Sequence, residues 1–320
     1  MIVVTGAAGF IGSNIVSELN KSGYHDIVAV DLDDKVKDCR YLQNKKVKNV
    51  KFEELEDFIG KNHHLIQAII HMGACSDTTE SDPKVFEKYN LGYSKMLWKQ
   101  CAAFGLVYIY ASSAATYGDG SHGYTDNPSH IQELKPLNMY GQSKQDFDLW
   151  VKAQEKTPLF WAGLKFFNVY GPNEDHKGRM ASVVRHAYFQ IKETGKMRLF
   201  RSHHPDVKDG EQTRDFVYVK DAARVVQYLM EKRTANGIYN VGVGIGRTFK
   251  ELVENTFEAL EMPVNIEFID TPEDIRDKYQ YYTCADITRL RRIGFTQAMT
   301  SLEEGVSDYV KNYLSTSSYN

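Results

Sequence analysis

Ile2-Val3-Val4-Thr5-Gly6-Ala7-Ala8-Gly9-Phe10-Ile11-Gly12 opens the chain and decides its fold. The first four residues are too uniformly apolar for a strand with one wet face, and they read as a buried strand. A glycine turn follows. The pattern then changes period and predicts a helix from Phe10 to about Lys21, with Ile11, Ile15 and Leu19 along one side. A helix beginning at that point offers unpaired amides and the positive end of its dipole to a diphosphate, and glycines let the backbone approach closely. Gly6, Gly9, Phe10, Ile11 and Gly12 are therefore the first candidates for dinucleotide contact. The spacing G-x-x-G-x-x-G differs from the G-x-G-x-x-G of many dehydrogenases, and an ordinary tight turn is the alternative reading.

Further strand-like runs alternate with helical segments: Ile27-Val28-Ala29-Val30, Val50-Lys51-Phe52, Ala68-Ile69-Ile70, Val107-Tyr108-Ile109-Tyr110 and Leu164-Lys165-Phe166. Such alternation calls for right-handed crossovers, and the fold class predicted is α/β, a doubly wound parallel sheet of the Rossmann kind. Ligands of these sheets lie beyond the carboxyl ends of the strands, where Gly6, Asp31, Gly73 and Ser113 fall.

After Phe166 the alternation gives way to a long polar loop, 173–179, and later to a second irregular stretch, 202–213. Phe216-Val217-Tyr218-Val219 and Gly237 to Gly242 read as returning strands, with a helix from Asp221 to about Lys232 between them. A smaller substrate lobe interleaved with the first domain is expected. The division predicted is 1–167 with returning segments near 212–242 and 284–292 for the dinucleotide domain. Residues 168–211, 243–283 and 293–320 make the substrate lobe, and the tail 315–320 is expected to fray.

Tyr140-Gly-Gln-Ser-Lys144 carries the chemistry. A Tyr and a Lys four residues apart share one helix face, and an ammonium beside a phenol stabilises the phenolate, making Tyr140 a usable base with Lys144 as its tuner. The same spacing also occurs on solvated helix faces, so the pair alone decides nothing.

Composition narrows the class. Across 320 residues, 39 basic and 42 acidic side chains leave a net charge of −3, so no global field points to nucleic acid or to an anionic membrane. No run of about 18 apolar residues occurs, and the opening residues enter a strand directly, so a cytoplasmic protein is expected. Cys39, Cys75, Cys101 and Cys284 have no disulfide-scaffold spacing and are read as free thiols. Neither His63-His64 nor His203-His204 has partners at metal-ligand spacing, and no metal is expected.

The glycine turn, Ser112-Ser113 with Thr116-Tyr117-Gly118, and the Tyr140 to Lys144 motif together resemble the extended short-chain dehydrogenase/reductase superfamily of nucleotide-sugar enzymes. Within it, Gly73-Ala74-Cys75-Ser76, Phe167-Asn168-Val169-Tyr170-Gly171-Pro172, His176-Lys177-Gly178 and Arg214-Asp215-Phe216-Val217-Tyr218-Val219 resemble the ADP-glyceromanno-heptose 6-epimerase family. The resemblance implies oxidation of a secondary alcohol by a nicotinamide and return of hydride to the other face of the ketone. Tyr140 would be the base, Ser113 would steady the same oxygen, and Lys144 would lower the phenol pKa and reach the nicotinamide ribose. Lys177 would serve as the second proton donor. Asn168, His186, Arg214 and Tyr279 would contact substrate, ADP-glyceromanno-heptose. Arg179 stands where that family suggests a small residue, so the contacts of its loop are open. Homo-oligomers, often pentamers, are implied as well.

For the cofactor, Asp31 and Leu32 at the end of the second strand, with Met72, Gly73, Ala74, Cys75, Ser76 and Asn90, are the remaining candidate contacts. Asp31, Asp33 and Asp34 argue for the free ribose hydroxyl of NAD. Lys35, Lys37 and Arg40 could meet the extra phosphate of NADP, which the resembled epimerases generally hold. NADP is the expectation, with NAD the alternative. A dehydratase is disfavoured because Ala114-Ala115 follows Ser113 where an acid pair is wanted. A UDP-hexose 4-epimerase, or a nicotinamide-binding regulator without catalysis, remains the rival reading.

Overall fold

In a computed structural model, residues 1–32, 35, 39–276 and 279–320 are described. Asp33, Asp34 and Lys37 lie outside them. The strands in chain order are β1 (Ile2–Thr5), β2 (Ile27–Asp31), β3 (Lys48–Lys51), β4 (Ala68–His71), β5 (Val107–Ser113), β6 (Phe160–Phe166), β7 (Asn168–Tyr170), β8 (Met197–Phe200), β9 (Thr213–Arg214), β10 (Phe216–Tyr218), β11 (Gly237–Val241), β12 (Arg247–Thr248) and β13 (Ile266–Ile269). The helices that matter below are α1 (Phe10–Lys21), α2 (Leu55–Asn62), α3 (Tyr93–Phe104), α4 (Met139–Lys152), α5 (Val183–Thr194), α6 (Val219–Lys232), α7 (Phe249–Ala259) and α8 (Leu302–Tyr309).

Seven strands form one parallel sheet in the order β11-β6-β5-β4-β1-β2-β3. Every residue of β1 is buried, as its unbroken apolar run requires, because both faces of the sheet are covered. The period of two sorts the faces. Ile2, Val4, Ile27 and Ala29 join Ile15, Val16 and Leu19 of α1 and Val226 and Leu229 of α6 in one core. Val3, Val28 and Val30 face the other way, against Leu55 and Ile59 of α2, Leu97 and Trp98 of α3, and Phe147 and Val151 of α4. Strand order reverses between β1 and β4, and a crevice opens beyond their carboxyl ends, where such sheets bind ligands.

A second core gathers Tyr170, Val184, Ile191, Leu199, Tyr218, Phe257 and Val306 from α5, α7, α8 and the short strands. The strand read at Phe216 is real but lies outside the main sheet, where β10 pairs with β7 in parallel. Its predecessor Asp215 explains the departure. That buried carboxylate accepts the amides of Val243 at 2.7 Å, Gly244 at 2.9 Å and Ala285 at 3.0 Å, fastening this segment to the loop after β11. It is β11 that completes the sheet, alongside β6.

Residues 315–319 of the tail are exposed, but the last residue departs from the expectation. Asn320 is 6 % exposed, its side-chain amide donates to Asn14 Oδ1 at 2.7 Å, its backbone N–H to Asn173 Oδ1 at 3.1 Å, and it accepts from Lys21 Nζ at 2.7 Å. A residue whose side-chain amide has two partners and whose backbone N–H has a third is held in place where a polar tail would otherwise fray.

Candidate active site

At the end of β1, Gly6 takes φ +66°, and a Cβ there would meet Gly73 N at 2.6 Å. One at Gly12 would fall 2.1 Å from the Gly6 carbonyl oxygen. The two strand ends and the first turn of α1 thus touch backbone to backbone. Gly9 precedes α1 without a capping side chain, and no acidic residue stands in the first turn, so the helix amides remain free for an anion. Asp31 shapes this turn, accepting the Ala8 amide at 3.1 Å and the Leu32 amide at 2.9 Å.

A pocket beside it is walled by Asp31, Leu32, Lys35, Gly73, Ala74 and Cys75, with Phe52 and Tyr93 stacked at 3.9 Å nearby. Glycine-lined approach, uncapped helix start and an adjoining apolar pocket fit a dinucleotide. Arg40 is drawn away from the pocket, since its guanidinium pairs with Asp175. Met72 packs against the core and Ser76 is exposed, so neither lines the pocket.

Asn90 secures this wall. It sits on a π-helical turn, Glu87–Gly92, and its side chain accepts the Cys75 amide at 2.8 Å while donating to the Cys75 carbonyl at 2.9 Å and to Ser143 Oγ at 2.9 Å. Ser143 in turn donates to the Tyr140 carbonyl at 2.7 Å. One buried amide therefore braces both the cofactor wall and α4.

The start of α4 is set by Asn138, whose side chain accepts the Gly141 amide at 2.8 Å. Tyr140 and Ser113 meet there by a hydrogen bond. Burial pushes the Tyr140 phenol above its ordinary value of 10, and the Ser113 hydroxyl pulls it back. Lys144 lies one helical turn further along α4. Its ammonium donates to the Ala111 carbonyl at 2.8 Å, and burial lowers it to about 8 against the upward pull of Asp148 and Cys75. That hydrogen bond turns the ammonium toward β5.

Ser113, Tyr140, Asn168, Arg214 and Tyr279 line one cleft of about 560 Å³. Arg214 is buried, lies 5.4 Å from the Phe249 ring and 5.6 Å from that of Tyr279, and donates to the Thr213 carbonyl at 2.8 Å. Its neighbour Asp215 is engaged with three amides instead, so the alternative of an Arg214–Asp215 ion pair does not hold.

Lys177 and His186 are not on the walls of that cleft. The Lys177 ammonium lies 5.3 Å from the Phe10 ring, beside the start of α1, and burial lowers its pKa while Glu174 raises it. His186 Nε2 is 3.2 Å from the Arg179 carbonyl oxygen. Arg179 itself spans to the opposite wall, donating to Thr79 Oγ1 at 2.5 Å. Sequence reasoning missed Thr79, Gln280 and Thr283 on the cleft wall, and the buried pair of His71 on β4 and Ser94 on α3. None of these belongs to a spaced motif, and only the fold assembles them. Among the described residues, no group of His, Cys, Asp or Glu could hold a metal ion.

A glycine-lined crevice at the switch point, with a Tyr and Ser at the head of an adjoining cleft, is matched by a known sequence profile. That of the NAD dependent epimerase/dehydratase family covers residues 2–242. This chain belongs to that family. Among curated members, the ADP-L-glycero-D-manno-heptose-6-epimerase of Fusobacterium nucleatum is 47 % identical over 98 % of both chains. That of Nitratidesulfovibrio vulgaris is 48 % identical over 98 % of both. A solved epimerase of the same name from Helicobacter pylori superimposes with a TM-score of 0.78 at 27 % identity, covering 97 % of this chain and 95 % of that one. Membership makes the chain an isomerase-type enzyme with a nicotinamide cofactor.

Proposed function

We propose that this chain converts ADP-D-glycero-D-manno-heptose to ADP-L-glycero-D-manno-heptose by oxidation and re-reduction at C6, a step supplying the inner-core heptose of lipopolysaccharide. The observation that carries the reading is the cleft itself. Tyr140 and Ser113 stand at one part of its wall, suited to an alcohol, and the buried Arg214 cation at another, suited to a diphosphate. The sugar is supported by the names of relatives sharing nearly half of all positions.

The glycine turn and the wall of Asp31, Gly73 and Cys75 would hold a nicotinamide cofactor, which would supply the hydride acceptor and donor for the carbinol carbon. Tyr140 receives the hydroxyl proton, and Ser113 holds the same oxygen. Lys144, released from Ala111, would stabilise the phenolate and meet the cofactor ribose. Asn168 and Tyr279 would orient the sugar. Delivery of a proton from the other side falls to Lys177, which approaches from Phe10, and His186 would meet the phosphates after rearrangement of the Arg179 loop.

For the cofactor we take NADP, with NAD as the alternative. Lys35 is the described cation on the pocket wall, while both Asp31 oxygens already accept backbone amides. Release by denaturation identifies the nucleotide. A cytoplasmic homo-oligomer, a pentamer by family likeness, is proposed; light scattering gives its mass. Among the described residues no helix is long and apolar enough to cross a membrane.

The test is incubation of the cofactor-loaded protein with ADP-D-glycero-D-manno-heptose, followed by NMR at C6. Inversion there, with no inversion of UDP-hexoses, is expected. The reverse pattern would establish a ring-carbon epimerase. Lys177→Ala should abolish turnover and keep the cofactor, and normal turnover in that variant removes Lys177 from the mechanism.

A further inference from the structure

Tyr140, Lys144 and Asp148 follow one another at four-residue spacing on α4, so the motif's face continues inward to a third group. Asp148 is fully buried and accepts from three donors: Tyr110 OH at 3.0 Å, Ser112 Oγ at 2.7 Å and Lys165 Nζ at 2.8 Å. Lys165, on β6, is 1 % exposed. Its second hydrogen bond goes to Thr116 Oγ1 at 2.6 Å, and Thr116 donates to the Ser113 carbonyl at 2.8 Å. The Tyr117 ring lies 5.2 Å from the same ammonium.

Three consecutive residues at the end of β5 are thereby tied to α4. Ala111 is held through Lys144, Ser112 directly by Asp148, and Ser113 through Thr116 and Lys165. A buried ion pair is a poor source of stability, because desolvation offsets its attraction and apolar residues of similar volume do as well. What such a pair does supply is fixed direction. Here it joins the strand carrying one reacting-site hydroxyl to the helix carrying the other.

We propose that Asp148 and Lys165 are positioning residues for the hydride chemistry: their buried pair sets Ser113 on β5 against Tyr140 on α4, and the carboxylate supports the positive charge of Lys144. The inference rests on the proposed roles of Tyr140, Ser113 and Lys144. The charged and titratable groups facing Lys144 are Asp148 on its own helix, Cys75 after β4, and His71 on β4. Those facing Asp148 are Lys144, Tyr110, Lys165 and Tyr117. Of these, Asp148 is the carboxylate, and removing its charge disfavours the ammonium of Lys144.

The test uses Asp148→Asn and, because a lone buried charge can prevent folding, the charge-free double variant Asp148→Asn/Lys165→Met, both as cofactor-loaded protein. With the heptose substrate, kcat should fall about 100-fold, the cost of a small misplacement, while KM changes little. In Asp148→Asn the alkaline limb of the pH–rate profile should move to lower pH by about one unit, and in the double variant, which also loses the Lys165 charge, by less. Unchanged kcat overturns the proposal. So does a uniform loss at every pH with the limb in place, which is what mere loosening of the fold would give. Should the wild-type protein turn over no heptose, the functional reading fails separately. NMR titration of isotope-labelled lysine, assigned with Lys144→Met, then decides the matter: a lower Lys144 pKa in the Asp148→Asn protein supports the charge coupling, and an unmoved one overturns it.

Discussion

The Tyr140 phenol is hydrogen-bonded to Ser113, and the Ser113 oxygen also accepts the Ala115 amide at 3.1 Å. The Ala115 amide thus holds the hydroxyl from behind, and its contact with the phenol lowers the pKa that burial raises. Tyr140→Phe should retain cofactor and lose activity by about 100- to 10,000-fold, the range for removing a general acid–base. Ser113→Ala should lose less in kcat, about 10- to 100-fold, and shift the phenol's titration upward in an absorbance difference against Tyr140→Phe.

Backbone contact at the glycine turn gives a second expectation. With only 2.1 Å available to a Cβ, Gly12→Ala should destabilise the fold by about 1–3 kcal/mol and empty the nucleotide site, because the helix must back away from Gly6. Gly60 in α2 has nothing within 4 Å of its built Cβ. Gly60→Ala should therefore stabilise by about 0.5–1 kcal/mol and leave cofactor content unchanged. Thermal unfolding with nucleotide release measures both.

His71 sets an acid limit. It is buried between the Thr5 hydroxyl, 2.6 Å from Nδ1, and the Ser94 hydroxyl, 2.9 Å from Nε2. Burial, helped by the Lys144 charge, lowers its pKa from 6.5 to about 3. Between those values the unfolded chain binds a proton that the folded one refuses, so stability is intact above the upper value and declines as pH falls toward the lower. On acidification from about pH 7 to about pH 5 this group should cost about 2 kcal/mol. Urea unfolding at the two pH values should show that loss in the wild type and its absence in His71→Asn.

Arg214 gives a fourth expectation. Phe249 and Tyr279 keep its guanidinium within the cleft wall. Arg214→Met should raise KM for the nucleotide sugar about 10- to 100-fold with little change in kcat, the pattern of a charge-assisted bond made equally in ground and transition states. Steady-state kinetics separates the two parameters.

The fold was legible because its signals are local and strong. A strand opening on three apolar residues, a glycine turn and a helix ending at Lys21 follow from sterics and periodicity over about twenty residues, and the structure puts α1 at those bounds. β10 was legible as a strand but not as a member of a separate pair, because what diverts it is Asp215 bonding amides 28 to 70 positions later, beyond the reach of any local pattern. The same reason hid Asn320, whose partners Asn14 and Asn173 lie far back along the chain. At the site, spacing found Tyr140 and Lys144 but could not say that the ammonium turns to Ala111. Residue type suggested Arg214 without showing that Asp215 is otherwise engaged. Lys177 and His186, carried over by resemblance, stand beside the cleft and not on its walls.

The bridging side chain of Asn90 makes the two halves of the site one thermodynamic unit. A nucleotide settling against Cys75 would stiffen the same amide that steadies Ser143, and with it the helix that carries Tyr140. Substrate should accordingly bind more tightly to the loaded protein than to the bare chain, and by reciprocity the dinucleotide should dissociate more slowly once the sugar is in place.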